Sequence, residues 1–474
     1  MNELGIRKTH NRLKEKLADY IKAQYFAEND LLIEATKPML EKEEVLFQEP
    51  YIEATQNYKV EEHGFENADI SEDIKKYLNY LIDNNLGVFK TPFCHQVKAV
   101  EAFFAGKDLL VTTGTGSGKT ECFLWSILTE LIRQVKYDRD SWQQEGIRSL
   151  ILYPMNALVS DQLGRIRNII GKDSDAYMNL MKLEGGEDIR RVRFGMYTGR
   201  TSYPGEENEQ RDKELAKLLK RTYSIDNEEN NIAFEELKKI GRVPSKDLRS
   251  FIESLEKGKQ KTGANDSELL TRNEMQKICP DILITNYSML EHMLMREIEQ
   301  GIWDKTKAWL KASKENKFLL VIDEAHMYRG ASGGEVALLI RRLMDKLSIE
   351  RDQIRCILTT ASVPDNKEKE LIEFACGLTG QDSENDSFQI IRGEQIELLG
   401  CKKGNAEDVE KLTKLNYDML QGNEEDIKTQ LLLMEELFGW GEIEGDYRVW
   451  LYDNLSNYPV MLELIKICSG QGFA

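Results

Sequence analysis

The string Thr113-Gly114-Thr115-Gly116-Ser117-Gly118-Lys119-Thr120 has the composition of a turn that holds phosphate. Glycine lets a backbone fold close around an anion and aim its N–H groups inward, and Gly114, Gly116 and Gly118 supply that freedom. Thr115, Gly116, Ser117 and Gly118 would form the cradle. Lys119 is placed to reach the β- and γ-phosphates of a nucleoside triphosphate, and the Thr120 hydroxyl to hold Mg²⁺. The apolar run DLLVT precedes the turn and the helical pattern ECFLWSILTELIRQ follows it. Strand, turn and helix are the context such a loop demands, and the helix N-terminus adds a positive dipole end. The general GxxxxGK[ST] pattern starts with Gly, whereas this chain has Thr113. The bland alternative is a glycine-rich turn without ligand; strand, Lys-Thr pair and helix in register weigh against it.

A second cluster stands at 317–326, KFLLVIDEAH, an apolar strand that ends in acids. Asp323 suits Mg²⁺, usually through water, and Glu324 suits orienting and polarising an attacking water. Buried strands rarely end in two adjacent carboxylates without a cation, because unpaired charge there is costly. An exposed strand-end turn is the structural alternative. His326 is spaced to link this site to a neighbouring loop.

The elements that must position these residues follow from periodicity. Short β-branched apolar runs occur at Asp108–Thr112, Ser149–Tyr153, Val192–Tyr197, Asp281–Thr285, Phe318–Ile322 and Arg355–Thr359, separated by helical patterns. That alternation predicts an α/β fold, a parallel sheet with helices on both faces. Residues 1–90 read as a helical, acidic accessory region, with helical spacing over Lys8–Tyr25 and Ile70–Ile82. The sheet domain is expected over 91–385, interrupted by a charged insertion at about 205–270 that reads as partly helical surface structure. Residues 386–474 turn helical again, with LLLMEELFGW and NYPVMLELIKI as amphipathic pieces.

A length of 474 residues suits two or three domains, and 41% hydrophobic with 31% charged residues suits a globular chain with ample core. The net charge of −18 gives no global basic field, so any grip on nucleic acid needs a local basic track. No apolar run reaches the roughly 18 residues of a membrane span, and the polar start MNELGIRKTHNRLKEKL gives no signal peptide. Cys94, Cys122, Cys279, Cys356, Cys376, Cys401 and Cys468 are scattered without a CxxC pair, which suits a reducing cytoplasm and core packing rather than zinc.

DEAH after a TGTGSGKT loop resembles the DExH-box branch of the superfamily 2 helicases, and further segments follow in that family's order. The resemblance implies a RecA-like domain, ATP as nucleotide and Mg²⁺ as its ion. TPFCHQVKAVEAFF looks like the adenine-contacting Q motif, with Gln96 as the base-reading amide. ILYPMNALVSDQLGRI, YTGRT and PDILITNYSMLEHMLMR are similar to motifs Ia, Ib and Ic, and TTAS at 359–362 stands where motif III is expected. These would supply a nucleic-acid track from Asn156, Arg165, Thr198, Gly199, Thr285 and Asn286, and coupling hydroxyls from Thr360 and Ser362. Arg167, Arg190, Arg191, Arg193 and Arg200 thicken the same stretch, although any one of them can be a solvated surface charge.

VIDEAHMYRGASGGEVALLIRRL is similar to the branch holding MrfA-like repair helicases and DrmA-type helicases of bacterial defence systems. That likeness favours DNA over RNA and implies partner proteins of such a system. GASGGE at 330–335 mimics the LSGGQ signature of ABC-type ATPases, but it follows the aspartate strand instead of preceding it. It reads as a tight loop with Gly330, Gly333 and Gly334 leading into a helix. The family closes two RecA-like lobes over one ATP, and no QxxGRxGR-type segment follows residue 390. A second lobe is therefore expected from the rest of a longer chain or from another subunit. The alternative function is an ATP-gated assembly protein that docks a partner and moves no strand. A GTPase reading lacks any NKxD-like segment.

Overall fold

Every apolar run singled out in the sequence forms a strand, because each is buried on both sides by helices. In the computed structural model the described residues are 6–25, 29–40, 45–47, 58–114, 116–171, 175–202, 208–223, 231–361, 367–381, 388–396, 404–416, 419–421, 423–441, 443, 445–456 and 458–468. The strands are β1 (Asp108–Thr112), β2 (Ser149–Tyr153), β3 (Phe194–Tyr197), β4 (Glu268–Leu269), β5 (Ile282–Asn286), β6 (Phe318–Ile322), β7 (Ile354–Thr360) and β8 (Phe388–Arg392). They make one parallel sheet in the order β4-β3-β5-β2-β6-β7-β1-β8.

Alternate residues of β1 feed two cores. Leu109 and Val111 join one with the helices Glu72–Asp83, Cys94–Phe104 and Lys119–Tyr137. Leu110 joins the other with the helices Tyr287–Met295, Gln300–Ala312, Gly330–Leu347 and Glu368–Thr379. The sheet is therefore sandwiched between helical layers, as expected for a RecA-like α/β fold.

Tyr58–Glu394 forms one compact unit, wider at both ends than the 91–385 read from the sequence. The extension has a physical cause. Ile74, Tyr77, Leu78 and Leu81 of the helix Glu72–Asp83 are buried in the first core, and β8 pairs with β1 beyond residue 385. The other unit takes Met1–Asn57 and Gln395–Ala474. It contains the helices Ile6–Tyr25, Asp30–Leu40, Ala406–Thr413, Glu424–Phe438, Tyr447–Leu455 and Pro459–Cys468, with a small core of Leu415, Leu431, Met434 and Trp450.

The 205–270 insertion is helical over Glu209–Tyr223, Asn231–Lys239 and Leu248–Glu256, around Ala216, Phe251, Ile252 and Leu255. Its end supplies β4, so it extends the sheet beside β3. Lys246 is buried there between Asp266 at 2.9 Å and Glu274 at 2.7 Å. The glycines of GASGGE open the helix Gly330–Leu347 rather than forming a loop ahead of it. No helix among the described residues is long and apolar enough to cross a membrane.

Candidate nucleotide site and nucleic-acid track

The strand order brings the chemistry together. β7 lies between β1 and β6, so the turn after β1, the TTAS end of β7 and the DEAH end of β6 share the sheet's carboxyl edge. Open α/β sheets bind ligands at that edge.

Gly118 caps the helix Lys119–Tyr137 in the left-handed region at φ 76. The left-handed conformation favours glycine, and a Cβ there would come within 2.2 Å of Gln96 Nε2 and force that side chain to move. Lys119 Nζ lies 3.2 Å from Glu324 Oε1, and it is 11% exposed. Glu324 Oε2 in turn lies 3.2 Å from His326 Nδ1. Glu324 holds φ 51, a left-handed backbone that a side chain rarely adopts. His326 Nδ1 also accepts from the Ala361 N–H at 3.4 Å, which joins the DEAH turn to the end of β7.

Asp323 is buried. Burial pushes its carboxyl above the usual carboxylate range and the charge of Glu324 adds to that, against the Thr359 hydroxyl and Lys119, which favour ionisation. A buried acid so short of counter-charge fits a site built to receive a cation. The Thr120 hydroxyl, in the first turn of the helix Lys119–Tyr137, accepts from Gln162 Nε2 at 3.2 Å. Asp323, Thr120 and Lys119 thus fit Mg²⁺ and a triphosphate. Gly116 has φ 78 and nothing beside its Cα. Ser117 is buried, its hydroxyl donating to Thr113 Oγ1 at 2.6 Å and its carbonyl accepting from His95 Nε2 at 2.9 Å. Thr115 and Ser362 lie outside the described residues.

Gln96, expected to read the adenine edge, has both ends of its amide engaged here. Its Oε1 accepts from Phe93 N at 2.9 Å and its Nε2 donates to the Gly118 carbonyl at 3.2 Å. Both ends of the amide are held by backbone, one at the start of the helix Cys94–Phe104 and the other at the phosphate loop.

In the TTAS segment it is Thr359 whose hydroxyl touches the DEAH turn. Thr359, rather than Thr360, donates to Asp323 Oδ1, and its oxygen accepts from Glu324 N at 3.2 Å. Thr360 is buried at the end of the same strand. Tyr58 was also missed: its hydroxyl accepts from Gly114 N at 3.0 Å, and its ring meets Phe93 and His95 edge-on. No motif announces an aromatic ring fifty-six positions before the loop it touches. Gln162 was legible only as part of the motif Ia string.

The track divides in two. Thr198, Gly199, Thr285 and Asn286 do stand at the carboxyl edge, and Asn156 opens the helix Asn156–Ile170 after β2. Thr198 and Thr285 are buried, and the Thr285 hydroxyl donates to the Tyr197 carbonyl at 2.6 Å. The Asn286 side chain caps the helix Tyr287–Met295 through Met289 N at 2.8 Å. Gly199 and Arg200 are exposed.

The other arginines hold structural partners. Arg165 meets Glu121 at 2.6 Å, and Arg167 binds Glu268 through two hydrogen bonds. Arg190, Arg191 and Arg193 precede β3 and so lie at its amino end, opposite the ligand edge. There Arg190 meets Asp281 at 2.7 Å and Arg191 meets Asp175 at 2.5 Å. Strand direction is what the plain residue count left out.

A family model for DEAD/DEAH box helicases matches residues 93–197 and 233–371, leaving out much of the helical insertion. The chain is 40% identical over 505 residues to the Druantia protein DruE of Escherichia coli, covering 98% of this chain and 27% of that protein. It is 23% identical over 293 residues to an uncharacterized ATP-dependent helicase of Methanocaldococcus jannaschii, covering 62% and 28%. The chain therefore spans about a quarter of the length of these curated relatives. Among solved structures it is similar to the DUF1998 helicase MrfA bound to DNA, with TM-score 0.38 and 17% identity over 87% of this chain and 46% of that one. It is also similar to the DEAD-box helicase Mss116 bound to single-stranded RNA, with TM-score 0.42 and 14% identity over 85% and 65%. The phosphate loop, the DEAH turn and the matched segments make this chain a member of the DEAD/DEAH box helicase family.

Proposed function

We propose that this chain carries the ATP-binding lobe of a DNA helicase or translocase that works in genome defence or repair. The observation that carries the reading is the bridge from Lys119 to Glu324 at 3.2 Å beside the buried Asp323. It joins the phosphate loop and the acidic strand end in one site. Lys119 would exchange its carboxylate partner for the β- and γ-phosphates. Asp323 and Thr120 would hold Mg²⁺, which supplies the charge that the transferring phosphoryl group needs. Glu324 would hold the attacking water and take its proton. Thr359 fixes Asp323 and the Glu324 backbone while this happens. The residues at the carboxyl ends of β3 and β5, with Asn156 and Arg165, would lie along DNA. A second RecA-like lobe, from the rest of a longer chain or another subunit, would add the arginine finger, worth about 10³–10⁵ in rate.

The test is an ATP-binding titration and a hydrolysis assay on this chain, with and without single-stranded DNA, beside Lys119→Ala. Binding that Lys119→Ala weakens at least about a hundredfold, with turnover near background, fits a lobe that lacks its finger. Vigorous DNA-stimulated turnover by a monomer would overturn the need for a second lobe.

One observation favours the ATP-gated assembly reading: much of the expected arginine track is tied up in ion pairs. Salt-insensitive or undetectable single-stranded DNA binding, unchanged by Arg200→Ala, would favour that reading.

A further inference from the structure

The compact sheet unit begins at Tyr58 and ends at Glu394, and those two ends lie side by side. Lys59 N donates to the Glu394 carbonyl at 2.8 Å, and Lys59 Nζ stands 3.6 Å from the Glu394 carboxylate. Lys98 pairs with the same carboxylate and holds it below its usual range. The other flank of this segment meets the start of the helix Cys94–Phe104. Val60 and Phe93 form an antiparallel bridge there, Cys94 N donates to the Lys59 carbonyl at 2.9 Å, and Glu61 N donates to the Pro92 carbonyl at 2.7 Å. Residues 58–61 are thus a strap held along both flanks.

The first residue of the strap reaches the phosphate loop. Tyr58 is 8% exposed, and its hydroxyl accepts from Gly114 N at 3.0 Å. Its ring is wedged in place. Phe93 and His95 meet it edge-on, and a Cβ at Gly393, just past β8, would come within 2.3 Å of it. The far half of the loop is held from the helix Cys94–Phe104, by His95 Nε2 at the Ser117 carbonyl and Gln96 Nε2 at the Gly118 carbonyl. Tyr58 therefore braces the start of the loop, and that helix braces its end.

We propose that the two ends of the sheet unit, meeting at Tyr58 and Gly393, form a brace that shapes the phosphate loop before ATP binds, with Tyr58 as a positioning residue. The inference rests on the ATP-binding reading above and adds a residue to it. Glycine loses more backbone freedom on ordering than any other residue, so a glycine-rich loop closes on phosphate at a high entropic cost. A hydrogen bond that fixes the loop beforehand removes part of that cost from binding. It also commits the Gly114 N–H to Tyr58, which leaves the donors further along the loop to face phosphate. The Tyr58 hydroxyl meets loop backbone rather than Lys119, Asp323 or Glu324, so the brace acts on affinity more than on the chemical step.

The test compares wild type, Tyr58→Phe, Gly393→Ala and Lys119→Ala as whole chains, titrated with a fluorescent ATP analogue in the presence of Mg²⁺. Tyr58→Phe keeps the ring and removes only the hydroxyl. It should unfold at nearly the wild-type temperature yet bind the analogue about 3–10-fold more weakly, the scale of one hydrogen bond. Gly393→Ala, which displaces the ring and leaves the hydroxyl, should weaken binding at least as much. In the full assembly Tyr58→Phe should raise KM for ATP by the same factor and lower kcat by less than about twofold. Hydrogen exchange of the nucleotide-free chain supplies a readout without ATP: the peptide spanning Gly114 should exchange faster in Tyr58→Phe, while the peptide across β6 keeps its rate. Unchanged affinity in Tyr58→Phe would overturn the brace, whether or not exchange at Gly114 quickens, because the contact would then serve structure alone. In that case loss of binding in Lys119→Ala would leave the ATP reading standing. A wild-type chain that binds no ATP would overturn that reading and this inference together.

Discussion

The two edges of the sheet hold similar residues in opposite states. At the carboxyl edge, Glu324 is held at φ 51, Gly118 at φ 76, and Asp323 is buried with its ionised form short of counter-charge. At the amino edge beneath β3 and β5, Asp281 is wholly buried yet takes Arg190 at 2.7 Å, Arg148 at 3.2 Å and the Arg193 backbone N–H at 2.9 Å. One carboxylate waits for a cation from outside and the other already has its cations from inside. The difference separates a site from a clamp: the buried Asp323 has no ion-pair partner among the described residues and stands beside the strained Glu324, whereas Asp281 is fully paired.

The largest effect is expected where the clamp is broken. Burial alone would raise the Asp281 carboxyl, but Arg190 and Arg148 hold it below its ordinary range. Its folded pKa thus lies below its unfolded one. Its contribution is present above the unfolded pKa and is lost as pH falls through the folded value. Asp281→Asn leaves two buried guanidiniums short of charge and should cost about 3–5 kcal/mol, the usual penalty for removing one partner of a buried pair. Denaturant unfolding at neutral pH reads the loss. In the acid range the variant should lose less further stability than wild type.

A smaller effect is expected at the ligand edge, and in activity more than in stability. Thr359→Val removes the hydroxyl shared by Asp323 Oδ1 and Glu324 N while keeping the shape. The rate of ATP hydrolysis in the full assembly should drop roughly 10–100-fold, equivalent to about 1.4–2.7 kcal/mol, the scale of a charge-assisted hydrogen bond. Thr360→Val, one residue on, should change it less. Equal effects would leave Thr360 as much a coupling residue as Thr359.

These contrasts also show what a sequence can reveal. The strands β1, β2 and β6 were legible to the residue, because a doubly covered parallel strand is a short unbroken apolar run. β4 was not, since a two-residue edge strand, Glu268–Leu269, carries no period. β8 lay past the expected boundary, and its FQIIR pattern is buried only at Phe388 and Ile391. At the site, Lys119, Thr120, Asp323 and Glu324 were legible because their spacing along the chain is itself the motif. Tyr58, His95 and the exact partner of Asp323 depend on packing between elements far apart in the chain, which no local pattern encodes. The arginines misled for a related reason. Residue type suggested a basic track, but Arg190, Arg191 and Arg193 enter β3 while Thr198 leaves it, and those ends face opposite sides of the molecule.

Arg165 sharpens that last distinction, with the smallest expected change. It lies in the helix Asn156–Ile170 that follows β2 at the ligand edge, and its partner Glu121 sits in the first turn after Lys119. Its side chain is 45% exposed, so the pair should contribute less than about 1 kcal/mol to stability. Arg165→Ala should therefore leave unfolding nearly unchanged. If the side chain leaves Glu121 to meet a phosphate, the salt dependence of single-stranded DNA binding should fall by about one unit of slope. Arg191→Ala, at the amino end of β3, provides the comparison: its slope should match wild type. The same slope for both variants would mean that Arg165, too, is a structural partner, leaving Arg200 and the exposed backbone at Gly199 as the remaining grip on that edge.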